Sequence, residues 1–405
     1  MFFMPEHFKK NRKGQFMICF DNAFSQWLID VRRQFHKIPE IMFQEVNTCQ
    51  RIKDLLTQMN IENYGYEDMT GVVALLRGGK PGKTIALRAD IDALPIEEKT
   101  LVSFKSRNPG MMHACGHDAH TTIMLGVAKY LVESELIKGF KGNIKFIFQP
   151  AEEGDGGADP MIKRGVLEEP HVDRILACHV QPGLPVKTAG LHPSQSHAST
   201  NPFHLIIKGK GGHGGHPDEA IDPIVAGAYF VSTLQTIVAR NVDPLETAVV
   251  HIGKFLAGEA GNVIPGQAEL AGGIRALTPC VRDLVLKRLQ DVVKGVEVNF
   301  GVSCELTIHD GYPPCINDPD VCKFMHDIGV QVLGAENIKY LKPSTGAEDF
   351  AFFAKARPST MIMLGCGNEE KGIVHPLHSA HFELDERVLD VGVKIFTEAV
   401  CRYLS

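Results

Sequence analysis

Apolar positions recur at helical spacing over residues 24–36 and 44–59, with Pro39 between the two runs. Short β-rich runs follow at 71–76 and 84–89, and Gly78-Gly79 and Pro81-Gly82 turn the chain between them. The apolar residues Ile123, Met124, Leu125, Val127, Ala128 and Leu131 share one face of a helix predicted over 118–133. A strand at 143–149, a helix at about 157–165 and a strand at 175–178 continue the alternation, which predicts a mostly parallel sheet covered on both faces. Near residue 190 the pattern changes. Strand 203–209, helix 220–239, strands 247–253 and 267–276, helix 280–296 and strand 303–309 follow the order β-α-β-β-α-β of a ferredoxin-like unit. Helices at 319–333 and 347–354, a strand at 361–365 and a helix at 386–403 close the chain.

The expected class is therefore α/β, with a mixed, mostly parallel sheet in a catalytic domain and an inserted ferredoxin-like α+β domain. The catalytic domain is expected to be discontinuous (21–188 plus 310–405), the insertion to span 189–309, and residues 1–20 to form an N-terminal extension. A chain of 405 residues suits two such domains. Charge narrows the partners. With 42 Lys+Arg against 48 Asp+Glu and no basic block, nucleic acid is an unsuitable partner. No apolar run approaches the roughly 20 residues that span a bilayer. The basic patch Lys9, Lys10, Arg12, Lys13 precedes an apolar run too short for a secretory signal. Ten cysteines without framework spacing read as reduced thiols of a cytoplasmic protein.

The densest chemistry lies in His113-Ala114-Cys115-Gly116-His117-Asp118-Ala119-His120, where a cysteine, three histidines and an aspartate fall within eight positions at a helix start. That density suggests a metal site, against a plainer reading in which the histidines cap and solvate a loop. Asp90, Glu152, Glu153 and His179 each follow a predicted strand end, where ligands of parallel sheets gather. In an extended backbone Glu152 and Glu153 would point to opposite sides, one toward metal and one toward water. His179 taken alone also fits a satisfied core or loop histidine, and Asp90 fits a turn aspartate. His375, His378 and His381 form a second loop-borne cluster. Thr345-Gly346-Ala347-Glu348 fits a capping box, with Glu348 as a further acid in competition with that structural role.

From about residue 25 to the end, the chain resembles the two-metal amidohydrolase family of hippurate hydrolases, bacterial N-acyl-amino-acid amidohydrolases and plant auxin-amino-acid hydrolases. The carriers are RADIDALP at 88–95, HACGHDAH at 113–120, QPAEEG at 149–154, GKGGHGGHP at 209–217, NVIP at 262–265, GAEDF at 346–350 and HPLHSAHF at 375–382. The resemblance implies Cys115, His117, Glu153, His179 and His378 as ligands of two divalent metal ions (Zn, Mn, Co or Ni), and Glu152 as general base. It implies that His213 bonds the oxyanion, from its own subunit or a neighbour, and that Asn262 and Arg275 bind the substrate carboxylate. Arg275 also fits an ordinary strand-end charge, and Asp90 is expected to support the ligands from behind. One position departs from the family pattern: Asp218 stands where relatives usually carry a histidine after the proline, while His216 precedes Pro217.

The implied reaction is hydrolysis of an N-acyl-L-amino acid to a carboxylic acid and a free amino acid. Carboxypeptidase or dipeptidase action is the alternative within the family, because a peptide is also an N-acylated amino acid. A catalytically silent metal- or ligand-binding protein is the alternative outside it. A redox role for Cys115 lacks a CxxC partner. A sheet edge on the inserted domain would pair subunits into a homodimer or homotetramer.

Overall fold

The computed structural model describes residues 8–10 and 16–405; the remainder of the expected extension lies outside the described residues. The chain clusters into two compact units. The larger holds Met1–Ser194, Asn317–Leu341 and Phe353–Ser405, and the smaller holds Gln195–Ile316 and Lys342–Phe352.

In the larger unit, β1 (Phe8–Lys10) and β2 (Phe16–Ile18) pair antiparallel ahead of α1 (Asn22–His36) and α2 (Val46–Gln58). Then come β3 (Glu62–Gly65), β4 (Val72–Arg77), β5 (Lys80–Asp90), α3 (His117–Glu133), β6 (Lys141–Gln149), α4 (Ala158–Lys163), β7 (Arg174–Pro185) and β8 (Ala189–Leu191). The smaller unit runs β9 (Gln195–His197), β10 (Asn201–Lys208), β11 (Gly212–His213), α5 (Pro223–Asn241), β12 (Ala248–Ala257), β13 (Val263–Ile264), β14 (Gln267–Ala276), α6 (Pro279–Phe300), β15 (Ser303–Ile308) and β16 (Cys315–Ile316). The chain then continues through α7 (Pro319–Leu333), β17 (Ile338–Tyr340), α8 (Phe350–Ala356), β18 (Ser359–Gly367) and α9 (Arg387–Leu404).

The large sheet has the order β17-β8-β18-β7-β5-β6-β4-β3. Its centre is parallel: β18 with β7, β7 with β5, and β5 with β6. Burial on both faces explains why these strands read as nearly unbroken apolar runs; all nine residues of β18 are buried. The strands on either side of Gly78-Gly79 are not partners, because β6 lies between β4 and β5. The core helix α3 is buried around almost its whole circumference, which suits a helix enclosed between the sheet and other helices rather than a surface helix.

The smaller unit orders its strands β12-β14-β10-β15, all antiparallel. Alternation along β10 sends Phe203, Leu205 and Ile207 inward, where they share a core with Phe230 and Leu234 of α5 and Val285 and Leu289 of α6. With two helices in the order β-α-β-β-α-β, this is the expected ferredoxin-like unit. Three helix starts follow one rule: Asp222-Pro223, Thr278-Pro279 and Asp318-Pro319 each put an oxygen-bearing N-cap before a proline that needs no amide partner. The expected capping box at 345–348 does not start a helix. Ser344 N–H donates to Ser196 O (2.8 Å) and Ala198 N–H to Gly346 O (2.9 Å), so that backbone is committed to pairing. The helix begins only at Phe350, whose N–H donates to Glu348 Oε1 at 2.9 Å.

A buried lysine ties the back of the large sheet together. Lys145 of β6 is 1% exposed, and its Nζ donates to the carbonyls of Val166 (2.9 Å), Glu168 (2.7 Å) and Pro170 (3.1 Å). Burial lowers its pKa to about 8. Lys145→Met should cost about 2–4 kcal/mol in urea unfolding, because carbonyls lose their donor. The unfolded chain keeps the proton that the folded chain releases between about pH 8 and the ordinary lysine range, so wild-type stability gains from this group as pH rises there. The gap between wild type and variant should therefore widen above pH 8.

Candidate metal centre

The parallel ladder sets the stage. β5 and β6 run in register to Asp90 opposite Gln149, and β5 and β7 to Arg88 opposite Ala177. Their carboxyl ends therefore open on the same side, and the chemistry-bearing residues emerge there. His179 does not stand past a strand end as expected. β7 continues to Pro185 along β18, and only its ladder with β5 stops at Ala177. His179 thus protrudes beyond the edge of β5 while remaining held by β18.

Cys115 and His117 flank Gly116, the N-cap of α3. Gly116 has φ +84°, and a Cβ there would lie 2.3 Å from Val180 Cγ2, so the ligand loop can press against β7 only without a side chain. His378 arrives from a distant loop with its own backbone at φ +63°, and its N–H donates to Ala114 O at 2.9 Å. That bond ties the C-terminal histidine loop to the cysteine loop.

Glu152 and Glu153 depart from expectation. Instead of an extended backbone, the chain after β6 forms a turn in which Ala151 adopts φ +56° and its carbonyl accepts from Gly156 N–H (3.0 Å). Both carboxylates therefore converge rather than diverge: ligand atoms of His117, Glu152 and Glu153 all lie within 4.8 Å of one another. The same holds for Cys115, His117 and His179, and for Cys115, Glu153 and His378. These overlapping triads bring together all five expected ligands and the expected base.

Hydrogen bonds decide which nitrogen each histidine presents. His117 Nδ1 donates to Asp92, 3.0 Å from its carbonyl and 3.1 Å from Oδ1, which leaves Nε2 facing the cluster. That Nε2 is buried without a hydrogen-bond partner. His179 Nδ1 donates to Val180 O (2.7 Å), and its Nε2 lies 3.4 Å from Cys115 Sγ. Glu153 Oε1 stands 3.2 Å from His378 Nε2 and 3.8 Å from His117 Nε2. Imidazoles anchored at Nδ1, with Nε2 turned toward thiol and carboxylate, are the usual arrangement around a divalent cation.

Electrostatics point the same way. Burial opposes protonation of His117, yet the Asp90 carboxylate and Cys115 raise its pKa well above the ordinary histidine range. The cluster demands positive charge. Burial, followed by neighbouring His120, lowers His179 to about 3 and keeps it a neutral donor. Burial also pushes the Cys115 thiol up, with Glu153 and Glu152 adding to the shift, so the expected thiolate depends on a cation beside it.

Asp90 reaches the cluster chiefly through another residue. Its Oδ2 accepts from Arg88 (2.8 Å), its Oδ1 from His120 Nδ1 (2.6 Å), and His120 Nε2 accepts from Val180 N–H (2.8 Å), beside His179. The distance from Asp90 Oδ2 to His117 Nε2 is 3.7 Å. Asp92 is the residue that sequence reasoning missed. It takes His117 Nδ1 on Oδ1 and the Glu153 N–H on Oδ2 (3.0 Å). Its signal is the Asp-x-Asp spacing of Asp90 and Asp92 in RADIDALP.

The remaining expected site residues lie in the smaller unit. His213 and Asn262 meet there: β11 pairs with β13, and Gly214 N–H donates to Asn262 O at 2.9 Å. The Gly215 N–H donates to His213 Nδ1 at 2.9 Å, so a neutral His213 carries its proton on Nε2. Arg275 lies on β14 opposite Val249 of β12. Asp218 is exposed in a short turn of 3₁₀ helix at Pro217–Glu219.

Asp92→Ala should weaken divalent-metal binding about 10–100-fold in a calorimetric titration, because the Glu153 backbone loses its acceptor and the His117 ring keeps only the carbonyl of residue 92. An unchanged affinity would show that neither bond orients a ligand.

The family model for peptidase family M20/M25/M40 matches residues 86–402. An N-acetyldiaminopimelate deacetylase from Priestia megaterium is 40% identical over 373 residues, covering 91% of this chain and 96% of the relative. Thermostable carboxypeptidase 1 from Saccharolobus solfataricus is 38% identical, covering 90% and 92%. The crystal structure of the Bacillus subtilis YXEP protein, described as a dinuclear metal binding peptidase from the M20 family, superposes with a TM-score of 0.83 at 35% identity, covering 95% of this chain and 99% of that one. With the match running through every segment that supplies the buried cluster, the chain belongs to peptidase family M20/M25/M40 and is a metal-dependent amidohydrolase.

Proposed function

We propose that this protein hydrolyses the amide bond of N-acyl-L-amino acids, releasing a carboxylic acid and a free amino acid. The observation that carries the reading is the convergence of Cys115, His117, Glu153, His179 and His378 with the second carboxylate of Glu152. The larger unit is read as the catalytic domain and the smaller as the source of substrate-binding groups. Two divalent cations (zinc, manganese, cobalt or nickel) held by the five ligands supply the positive charge that polarises the scissile carbonyl and acidifies water.

The chain's own residues do the rest. Glu152 takes the proton of the attacking water as its oxygen bonds to the carbonyl carbon, and returns a proton to the amide nitrogen as the C–N bond breaks. His213, of the same subunit or of a neighbour and with its proton on Nε2, donates to the oxygen that becomes negative in the tetrahedral state. Asn262 and Arg275 bind the free carboxylate of the amino-acid half. Asp90 and Asp92 hold ligand orientation without touching substrate. Ten free cysteines fit a reducing, cytoplasmic setting, and among the described residues no helix is long and apolar enough to cross a membrane.

The carboxypeptidase relative supports a second substrate class, peptides with a free C-terminus. Hydrolysis of N-acetyl and N-benzoyl amino acids, compared with dipeptides and N-blocked dipeptides, separates the two. Turnover of the acyl amino acids is expected to dominate and to vanish with chelator. Glu152→Gln should lower kcat about 10³-fold while retaining metal; near-normal turnover in that variant would remove Glu152 as the base.

Subunit pairing is read from the smaller unit. Its edge strand β12 exposes Val249, Phe255 and Leu256, and α5 exposes Ile224, Val225 and Tyr229. An edge strand of ten residues that exposes three large apolar side chains is suited to pairing with the same edge of a second copy. Leu256→Arg should shift a homodimer to monomer in sedimentation velocity, with the far-UV spectrum retained. A wild-type monomer at micromolar concentration would overturn the pairing.

A further inference from the structure

Ala151 is the residue on which the aim of Glu152 and Glu153 turns, and alanine is poorly suited to its backbone conformation. At φ +56° its Cβ crowds the backbone, a state that L-residues other than glycine and asparagine seldom adopt unless something holds them. The restraint is visible. Ala151 N–H donates at 2.9 Å to Oε1 of Glu45, a fully buried carboxylate 106 positions earlier in the chain. Glu45 Oε2 is itself fixed by the Thr70 hydroxyl.

Glu45 sits on a rigid turn. Five residues before it, the Glu40 carboxylate accepts from Asn47 N–H and Nδ2 (3.2 and 2.7 Å) and from Thr48 N–H and Oγ1 (2.8 and 2.9 Å), which locks the start of α2. The Glu40 carbonyl accepts from Ala93 N–H at 2.8 Å, next to Asp92. One turn, 40–45, therefore grips both backbones that feed the cluster: the strand end bearing Asp92 and the turn bearing the two glutamates. Nothing in the proposed chemistry uses Glu45 directly, and its oxygens are occupied by donors on its own framework.

We propose that Glu45 is a positioning residue of the hydrolytic centre, holding left-handed Ala151 by its N–H and thereby aiming Glu152 and Glu153. This rests on the assignment of Glu152 as base and Glu153 as ligand. Reach, not charge, is the property that matters. Glu45→Gln keeps an oxygen at the right distance from Ala151 N–H, and the Thr70 hydroxyl can rotate to accept from the new amide. Glu45→Asp keeps the charge but withdraws it by one methylene.

The test measures kcat and KM on an N-acetyl amino acid, calorimetric Mn²⁺ affinity and thermal midpoint for Glu45→Asp, Glu45→Gln and Glu45→Ala. In Glu45→Asp, kcat should fall about 100-fold with KM changed far less, and Mn²⁺ affinity should fall about 10-fold. Glu45→Gln should stay within about threefold of wild type in both. Adding Ala151→Gly to Glu45→Ala should recover about fivefold in kcat, because glycine adopts the turn without the left-handed penalty. A defect in Glu45→Gln as large as that of Glu45→Asp would overturn the proposal, because Gln keeps the reach; a larger one would point to charge, which Asp keeps. Wild-type kcat and Mn²⁺ affinity in Glu45→Asp would overturn it outright. If Glu45→Ala does not fold, the Asp and Gln pair still decides. If wild type cleaves no N-acyl amino acid, the substrate reading fails, and the Mn²⁺ titration alone decides the positioning role.

Discussion

The carboxylate of Asp92 accepts from the His117 imidazole on one oxygen and from the Glu153 backbone on the other. These two candidate ligands come from segments 36 residues apart, one opening a helix and one leaving a strand. A single rigid acceptor between them sets both the tautomer of the histidine and the path of the glutamate turn. Without this carboxylate the Glu153 N–H would lose its partner and the buried His117 Nδ1–H would keep only the Asp92 carbonyl, and donors that lose partners are costly. The candidate metal centre is thus built outward from the buried Asp92 carboxylate.

The same device recurs around the site. Asp90 orients His120, and His120 holds the Val180 N–H beside His179. Ala114 O holds His378 by its backbone. His117 and His179 turn Nε2 toward the cluster because Nδ1 of each is occupied. The cost of this crowding appears as charge. His117 is driven toward protonation by Asp90 and Cys115, and Cys115 resists ionisation because it is buried beside carboxylates. A divalent cation relieves both conditions at once by replacing the histidine proton and stabilising the thiolate. The residues and their electrostatics fit metal chemistry more closely than they fit a packed core.

The candidate histidine of the smaller unit is fixed differently. His213 sits on an exposed two-residue strand, and its tautomer is determined by the Gly215 N–H rather than by a buried carboxylate. A backbone donor cannot titrate, so the Nε2 proton persists wherever the ring is neutral. The flanking glycines leave the loop free of side chains that would cover the ring.

Much of this was legible in the chain itself. Hydrophobic periodicity placed the long helices and core strands, the β-α-β-β-α-β order identified the ferredoxin-like unit, and the dense motif at 113–120 marked the centre, because these signals are local and the residues that carry them are close in sequence. Contacts between distant segments were not legible. β6 divides β4 from β5, and backbone pairing at 344–346 prevents a helix from starting at Thr345. The turn after β6 brings Glu152 and Glu153 to the same side, although local geometry alone suggested opposite sides. Asp92 and Glu45 were invisible as working residues, since an aspartate after a strand and a glutamate before a helix look ordinary until their partners are known. The sequence by itself determined which residue types were available and which segments were helix or strand. Only the tertiary structure decided which side of the His117 imidazole faces the cluster, because that choice rests on hydrogen bonds to Asp92, 25 positions earlier in the chain.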